Sequence, residues 1–182
     1  DSAGLRLQEA TDALNAFGEV YMKQTLASGV IPQITAIFGN CGGGLALVPT
    51  LTDFTFMESK KAKLFVNAPN ALDGNEISKC DTSSADFQSE KVGIVDAVAE
   101  EAEIFAEIRE LINMLPSNNE DTDSYVECAD DLNRVCADLA NCVGDTAIAL
   151  TNIADDNYFF ETKRHYAKEM VTGFIKLNGT TV

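Results

Sequence analysis

Histidine is nearly absent: His165 is the only one in 182 residues, and no two of the five cysteines stand in a C-x-x-C pair. A zinc site built from His and Cys is therefore not expected. The five cysteines, Cys41, Cys80, Cys128, Cys136 and Cys142, are odd in number and irregularly spaced, which gives no disulfide framework and fits a reducing cytoplasm. Basic residues are scarce as well, with 13 Lys and Arg against 29 Asp and Glu and a net charge of −16. Phosphate contacts need clustered Lys and Arg, so nucleic acid is excluded as a partner, and so is a basic membrane-binding surface. The acidity reads as a solvated surface. There is no secretory signal and no uninterrupted apolar run of about 18 residues, which would be the mark of a membrane span. No Ser-His-Asp arrangement is available either. What remains, 46% hydrophobic and 23% charged residues, describes a globular chain with one core of ordinary size.

Hydrophobic spacing supplies the elements. Leu7, Ala10, Leu14, Phe17, Tyr21 and Leu26 recur at three- and four-residue intervals, predicting an amphipathic helix closed by Ser28-Gly29. Ile31 to Phe38 reads as a strand buried on both faces. Cys41 to Leu51 reads as a short helix, and Asp53 to Met57 and Lys63 to Val66 as strands. Asn67 to Gln88, polar and turn-rich, reads as loop. A short strand is expected at Val92 to Ala97. Glu100 to Leu115 is a helix whose buried face is Ile104, Phe105, Ile108, Leu111, Ile112 and Leu115, ended by Pro116. Ser117 to Ser124 is an acidic loop. A further helix is expected from Tyr125 to Val143, carrying Cys128, Cys136 and Cys142, and a short one from Ala147 to Ile153. Val171 to Leu177 reads as a strand turning at Asn178-Gly179, an Asn-Gly hairpin signal.

The stretch from Ile31 to Met57, IPQITAIFGNCGGGLALVPTLTDFTFM, carries the chemistry. A β-branched run stops at Gly39, three consecutive glycines follow, and then comes an apolar segment containing Pro49. Without Cβ, the backbone of such a turn approaches a ligand closely, and the helix start behind it adds unpaired N–H donors. Such a place stabilises a phosphate or a developing oxyanion.

This run resembles the glycine turn of the carboxyltransferase subunits of biotin-dependent acyl-CoA carboxylases and decarboxylases, members of the crotonase-like superfamily. That family reads G-V-I-P-Q-I-S, G-P-C-A-G-G-A and T-D-F-x-F-M. Here Gly29 to Ile34 is GVIPQI, Gly39 to Leu45 is GNCGGGL, and Thr52 to Met57 is TDFTFM. Asp1 to Glu9, DSAGLRLQE, resembles the family's D-S-G-G-A-R-I-Q-E, and Asp155 to Val182 resembles its D-D-G-x-F-F-E and later segments. Phe87 to Val98 resembles its closing strand. The three main matches come in the family's order and roughly its spacing.

The resemblance implies an α/β fold, the ClpP/crotonase-like β-β-α spiral superhelix, here a fragment of a carboxyltransferase domain pair. Residues 1–116 would be the back part of the N-terminal domain, 117–157 a helical connection, and 158–182 the start of the C-terminal domain. The chain reads as a piece that starts and stops inside family motifs, expected to be inactive alone. The implied activity moves a carboxyl group between biotin, carried on a partner protein, and the α-carbon of an acyl-CoA of propionyl- or methylmalonyl-CoA type. The implied partners are acyl-CoA, a biotin carrier protein, and either a biotin carboxylase or a membrane decarboxylase subunit. The implied parent is a cytoplasmic, dimer-based homo-oligomer, up to a hexamer, and needs no metal.

By position, Gly43, Gly44 and Leu45 match the turn that supplies one oxyanion donor, and Gly4 and Leu5 the turn that supplies the other. Gly39, Cys41, Gly42 and Arg6 match substrate-facing positions. Leu45 and Leu5 stand where the family usually has alanine, and Ala3 stands where it has glycine, so the turn at Ala3 must avoid positive φ. Arg6 either holds a CoA phosphate or pairs with Glu9 or Asp12. Lys60, Lys61 and Lys63 form the one tight basic cluster, read as a surface patch or a contact for the CoA 3′-phosphate. Asp53 reads as a buried turn carboxylate, Cys41 as packing, and His165, in TKRHYAKE, as exposed. Asn67 to Gln88 lacks the family's histidine, which places a difference in substrate choice there. The same chemistry run in reverse, in a sodium-pumping decarboxylase, is one alternative. A crotonase-type hydratase or isomerase is another; it would want carboxylates beside the glycine turn, and Gly42 to Thr52 contains none.

Overall fold

The computed structural model describes residues 1–2, 4–74, 76–121 and 125–182. The expectation for Ala3 and the end of the acidic loop at 122–124 lie outside the described residues.

A 3-10 turn at Leu7–Glu9 leads into helix α1, Ala10–Ala27. The Ser28 N–H returns to the Gln24 carbonyl at 2.9 Å, and Gly29 takes the left-handed φ of 72° that ends the helix. The predicted helix is there, but its stripe is not uniformly inward. Ala13 alone of the helix is buried, and Leu14, Met22 and Leu26 face out.

Strand β1 (Ile34–Ile37) and strand β2 (Asn40–Gly42) follow, then two 3-10 turns, Gly43–Leu47 and Pro49–Leu51. The expected single helix over Cys41 to Leu51 is thereby corrected. Cys41 and Gly42 are taken by strand pairing, and Pro49, lacking an N–H, cannot continue a helical ladder. Strand β3 (Phe54–Glu58) and strand β4 (Lys63–Phe65) come next. Helix α2 (Ala85–Phe87), capped by the Ser84 hydroxyl, runs into a π turn at Gln88–Val92 that Gly93 ends at φ 75°. The loop expected to Gln88 thus stops at Ser84. Strand β5 is Ala97–Ala99, later than expected, because Val92 closes the π turn.

β1, β3 and β5 form one parallel sheet with β3 in the centre, Ile34 opposite Phe54 and Phe56 opposite Ala97. β2 and β4 form a second parallel pair, Cys41 opposite Leu64. The central strand is the one buried on both faces. β1 lies at the sheet edge, so only Ile37 of it is buried and Ile31 is exposed, against the expectation for that run. Successive residues of β3 feed two cores. Met57 joins Ile37, Cys41, Leu64 and Val95, and Phe56 joins Ile104, Leu111, Met114 and Phe160.

Helix α3, Glu101–Met114, starts at a reciprocal capping box between Glu100 and Glu103. Ile104 and Leu111 are fully buried, whereas Phe105 and Ile112, each one step around the helix, are exposed rather than part of the buried face. Phe105 instead packs its ring on Phe38, centroids 5.3 Å apart.

The helix expected from Tyr125 to Val143 does not form. Its described residues run through turns and one 3-10 turn at Leu139–Asn141, with Val143 92% exposed. Side chains compete for the backbone here. Asp131 takes the Asn133 N–H at 2.9 Å, and Arg134 reaches Asp130 (2.8 Å) and the carbonyls of Asn152 (2.7 Å) and Ala154 (2.6 Å). Cys128, Cys136 and Cys142 therefore sit off any helix. Helix α4, Thr146–Ile153, is capped by Asp145. Strands β6 (Phe159–Thr162), β7 (Thr172–Leu177) and β8 (Thr180–Thr181) make an antiparallel sheet, with the expected turn at Asn178 (φ 53°) and Gly179 (φ 76°). Among the described residues no helix is long and apolar enough to cross a membrane.

Candidate active site

The opening residues lie alongside β2. Asp1 uses one carboxylate oxygen to accept the N–H groups of Phe38 (3.1 Å) and Gly39 (2.8 Å). Ser2 pairs in parallel with Cys41: its N–H donates to the Asn40 carbonyl at 2.5 Å, and its carbonyl accepts the Gly42 N–H at 2.8 Å. This lays the Gly4 turn against the triple-glycine turn. At Gly4, φ is 125°, and a Cβ there would stand 3.6 Å from the Gly42 carbonyl oxygen and 3.9 Å from the Gly43 Cα. Two glycine turns distant in sequence thus meet backbone to backbone.

Gly43, at φ 61°, swings the chain out of β2 into the 3-10 turn. The opening N–H groups of that turn, on Gly43 and Gly44, precede any carbonyl the turn can offer them. Leu45 packs against the first core cluster, and Leu5 is half-buried. Cys41 is buried, its Sγ 3.6 Å from the Leu45 carbonyl, and burial pushes its thiol above the usual range. That is the packing role expected of it rather than a nucleophile's.

The charged candidates are engaged elsewhere. Arg6 pairs with Glu9 at 3.3 Å on the surface. Lys60 pairs with Glu100 at 2.5 Å and Lys63 with Asp81 at 2.5 Å. Glu58 accepts the N–H groups of Lys61 and Lys60, bonds that hold its carboxyl below the usual range. Asp53 takes the Gln33 N–H at 2.8 Å, as a turn carboxylate should, yet the residue is exposed and not buried. His165 is exposed. Two cavities lie away from the glycine turn, one of 330 Å³ between Pro32, Phe54 and Leu115 and one of 560 Å³ along the outer face of α1.

Sequence reasoning missed the residues that hold the turn. Tyr21 donates its hydroxyl to the Gly44 carbonyl, and Phe17 lies beside it. Both carried the helical spacing of an ordinary buried stripe, which gives no sign that they face a turn. The acceptor role of Asp1 had no local signal at all.

The carboxyl transferase domain family matches residues 1–182, and the chain belongs to that family. It is 35% identical over 193 residues to the propionyl-CoA carboxylase beta chain of Roseobacter denitrificans, covering 100% of this chain and 38% of that protein. It is 33% identical to the methylmalonyl-CoA decarboxylase subunit alpha of Propionigenium modestum, covering 100% of this chain and 37% of that protein. Transcarboxylase 12S, solved as a hexamer with hydrolysed methylmalonyl-coenzyme A bound, matches with a TM-score of 0.92 and 30% identity, over 100% of this chain and 37% of the other. The beta subunit of P. aeruginosa geranyl-CoA carboxylase shares the fold at a TM-score of 0.55 and 22% identity, over 99% of this chain and 36% of the other. The fold is thus the α/β, crotonase-like carboxyltransferase fold. The chain spans less than two fifths of the length of these relatives.

Proposed function

We propose that the protein carrying this chain is a carboxyltransferase that moves a carboxyl group between biotin and an acyl-CoA through an enolate. The observation that carries the reading is the packing of the Gly4 turn on the Gly42–Gly43 backbone. When the α-carbon gives up a carboxyl group or a proton, the electron pair moves onto the thioester oxygen, which becomes negative. Backbone N–H donors held about 3 Å from that oxygen lower the barrier without a side-chain acid. In this reading the turn of Gly43, Gly44 and Leu45 supplies one donor, and the turn of Gly4 and Leu5 the other. Gly39, Cys41 and Gly42 shape the floor, and Arg6, paired with Glu9 on the surface, is read as a contact for a CoA phosphate. The segment from Gly42 to Thr52 carries no carboxylate, which suits a thioester oxygen. Biotin, when bound, supplies or takes up the transferred carboxyl group, and no residue of this chain is assigned to it.

The same reading divides the chain at 116 and 157, with 158–182 opening a second carboxyltransferase domain. It makes the parent a dimer-based oligomer, served by a biotin carrier protein and a biotin carboxylase. A cytoplasmic location fits the five free thiols. The 33% identity to a decarboxylase subunit, close to the 35% to a carboxylase chain, favours a second reading in which a membrane decarboxylase subunit replaces the biotin carboxylase.

The test is to express the full reading frame and assay carboxyl transfer from malonyl-, methylmalonyl- and glutaconyl-CoA to free biotin. Transfer is expected, and the preferred thioester names the acyl class. A folded protein that transfers from none of the three overturns the proposal.

A further inference from the structure

Tyr21 lies well inside α1, yet its hydroxyl ends on the glycine turn, where it donates to the Gly44 carbonyl. Phe17, one helical turn earlier, lies beside it with ring centroids 5.9 Å apart. The two rings fill the space a side chain at position 44 would need. A Cβ there would stand 3.0 Å from the Tyr21 hydroxyl and 3.6 Å from the Phe17 ring. Gly44 is thus clamped on its side-chain face by apolar rings and on its carbonyl by a hydrogen bond.

The clamp acts on a peptide that matters. The Gly44 N–H is one of the two that open the turn without a carbonyl from it, and a carbonyl fixed at Gly44 restrains the residue that carries this N–H. Burial pushes the phenol above its ordinary range, which favours the protonated, donating form.

We propose that Tyr21 is a positioning residue for the oxyanion turn: its hydroxyl holds the Gly44 carbonyl and so sets the aim of the opening N–H donors on Gly43 and Gly44. The proposal rests on reading that turn as the enolate site. Tyr21 itself touches no reacting atom. Its effect therefore falls on the transition state and not on the binding of the thioester.

The test is Tyr21→Phe, which removes one oxygen and keeps the ring, in the protein expressed from its full reading frame. Two readouts are compared with wild type: steady-state transfer from the best thioester to biotin, and amide hydrogen exchange across residues 40–48. The expected result is a kcat lowered about tenfold with KM for the acyl-CoA unchanged. Exchange at the turn should quicken severalfold, with the thermal midpoint little changed. Unaltered exchange at the turn overturns the proposal whatever the rate does. So does quicker exchange with an unaltered kcat, or a kcat loss matched by a general loss of stability. A wild-type protein without transfer sinks the enolate reading, while the exchange comparison still decides whether Tyr21 holds the turn.

Discussion

Lys163 and Asp96 form an ion pair of 3.3 Å that fastens the C-terminal strands to the central sheet. The Lys163 ammonium also donates to the Gly93 carbonyl at 2.7 Å, and the second oxygen of Asp96 accepts the Thr55 N–H of β3 at 2.8 Å. Asp96 is only 4% exposed, and burial pushes its carboxyl up even though the Thr55 N–H and the Lys163 charge pull it down.

Lys163→Met should leave that carboxylate buried without its cation. Breaking a buried pair costs about 3–5 kcal/mol. Lys163 is 39% exposed, so solvent screening reduces the expected loss to about 1–2 kcal/mol at neutral pH. A carboxyl raised in the folded state binds more protons there than in the unfolded chain. Stability therefore falls as pH rises from the unfolded value through the folded one, and the variant should fall more steeply. Urea unfolding at several pH values measures both, and a variant as stable as wild type throughout would contradict this account.

Asp155 works in the opposite direction. Burial pushes its carboxyl up, but the N–H groups of Gly179 (2.7 Å) and Asn178 (3.0 Å), with the Cys128 thiol and Arg134, together bring it below the usual range. Its contribution is present above the unfolded value near pH ~4 and is lost as pH falls through the folded one. Asp155→Asn should cost about 1–2 kcal/mol at neutral pH and flatten the acid limb of the stability profile. An acid limb unchanged in the variant would assign it to other carboxylates.

Gly4→Ala should fold but transfer poorly. At φ 125° the added Cβ is strained, although the nearest atom, the Gly42 carbonyl oxygen, lies at an ordinary 3.6 Å. Relief of that strain moves the turn, and loss of one oxyanion donor costs on the order of 100-fold in kcat. Gly18→Ala, in the middle of α1 with nothing within 4 Å of its Cβ, is the control. It should gain about 0.5–1 kcal/mol of stability with activity intact. Equal activity in both variants would remove Gly4 from the mechanism.

Brief alkylation of the native protein should label exposed Cys80 before buried Cys41, with carboxyl transfer retained. Peptide mapping by mass spectrometry reads the order. Early labelling of Cys41 would mean that the glycine turn opens far more readily than its packing implies.

Much of the fold was legible where local pattern and tertiary packing agree. The helix at Glu100, the strands at Phe54 and Lys63 and the Asn-Gly hairpin each carry a strong local signal, and each formed. The run from Tyr125 to Val143 has helical spacing too, but the Asp131 carboxylate takes a backbone N–H, and Arg134 is drawn away to α4. Apolar spacing alone does not reveal that competition. At the candidate site the glycines were legible because their backbone demands are local. Tyr21, Phe17 and Asp1 were not, since what they touch lies 20 to 40 residues away in the chain, as |i−j| separations of 23 for Tyr21–Gly44 and 38 for Asp1–Gly39 make plain.

The parallel order β1-β3-β5 also bears on how the chain reaches this state. Neither pairing of β3 can be closed by a tight turn, because parallel neighbours require a crossover. The β7–β8 hairpin needs only its two-residue turn and forms on a scale of about 1–10 μs. Strand β2, which leads into the triple-glycine turn, pairs in parallel with β4 and likewise waits on a crossover that slows folding. A ribosome releasing this chain holds both glycine turns before β4, the strand that pairs with β2, has emerged.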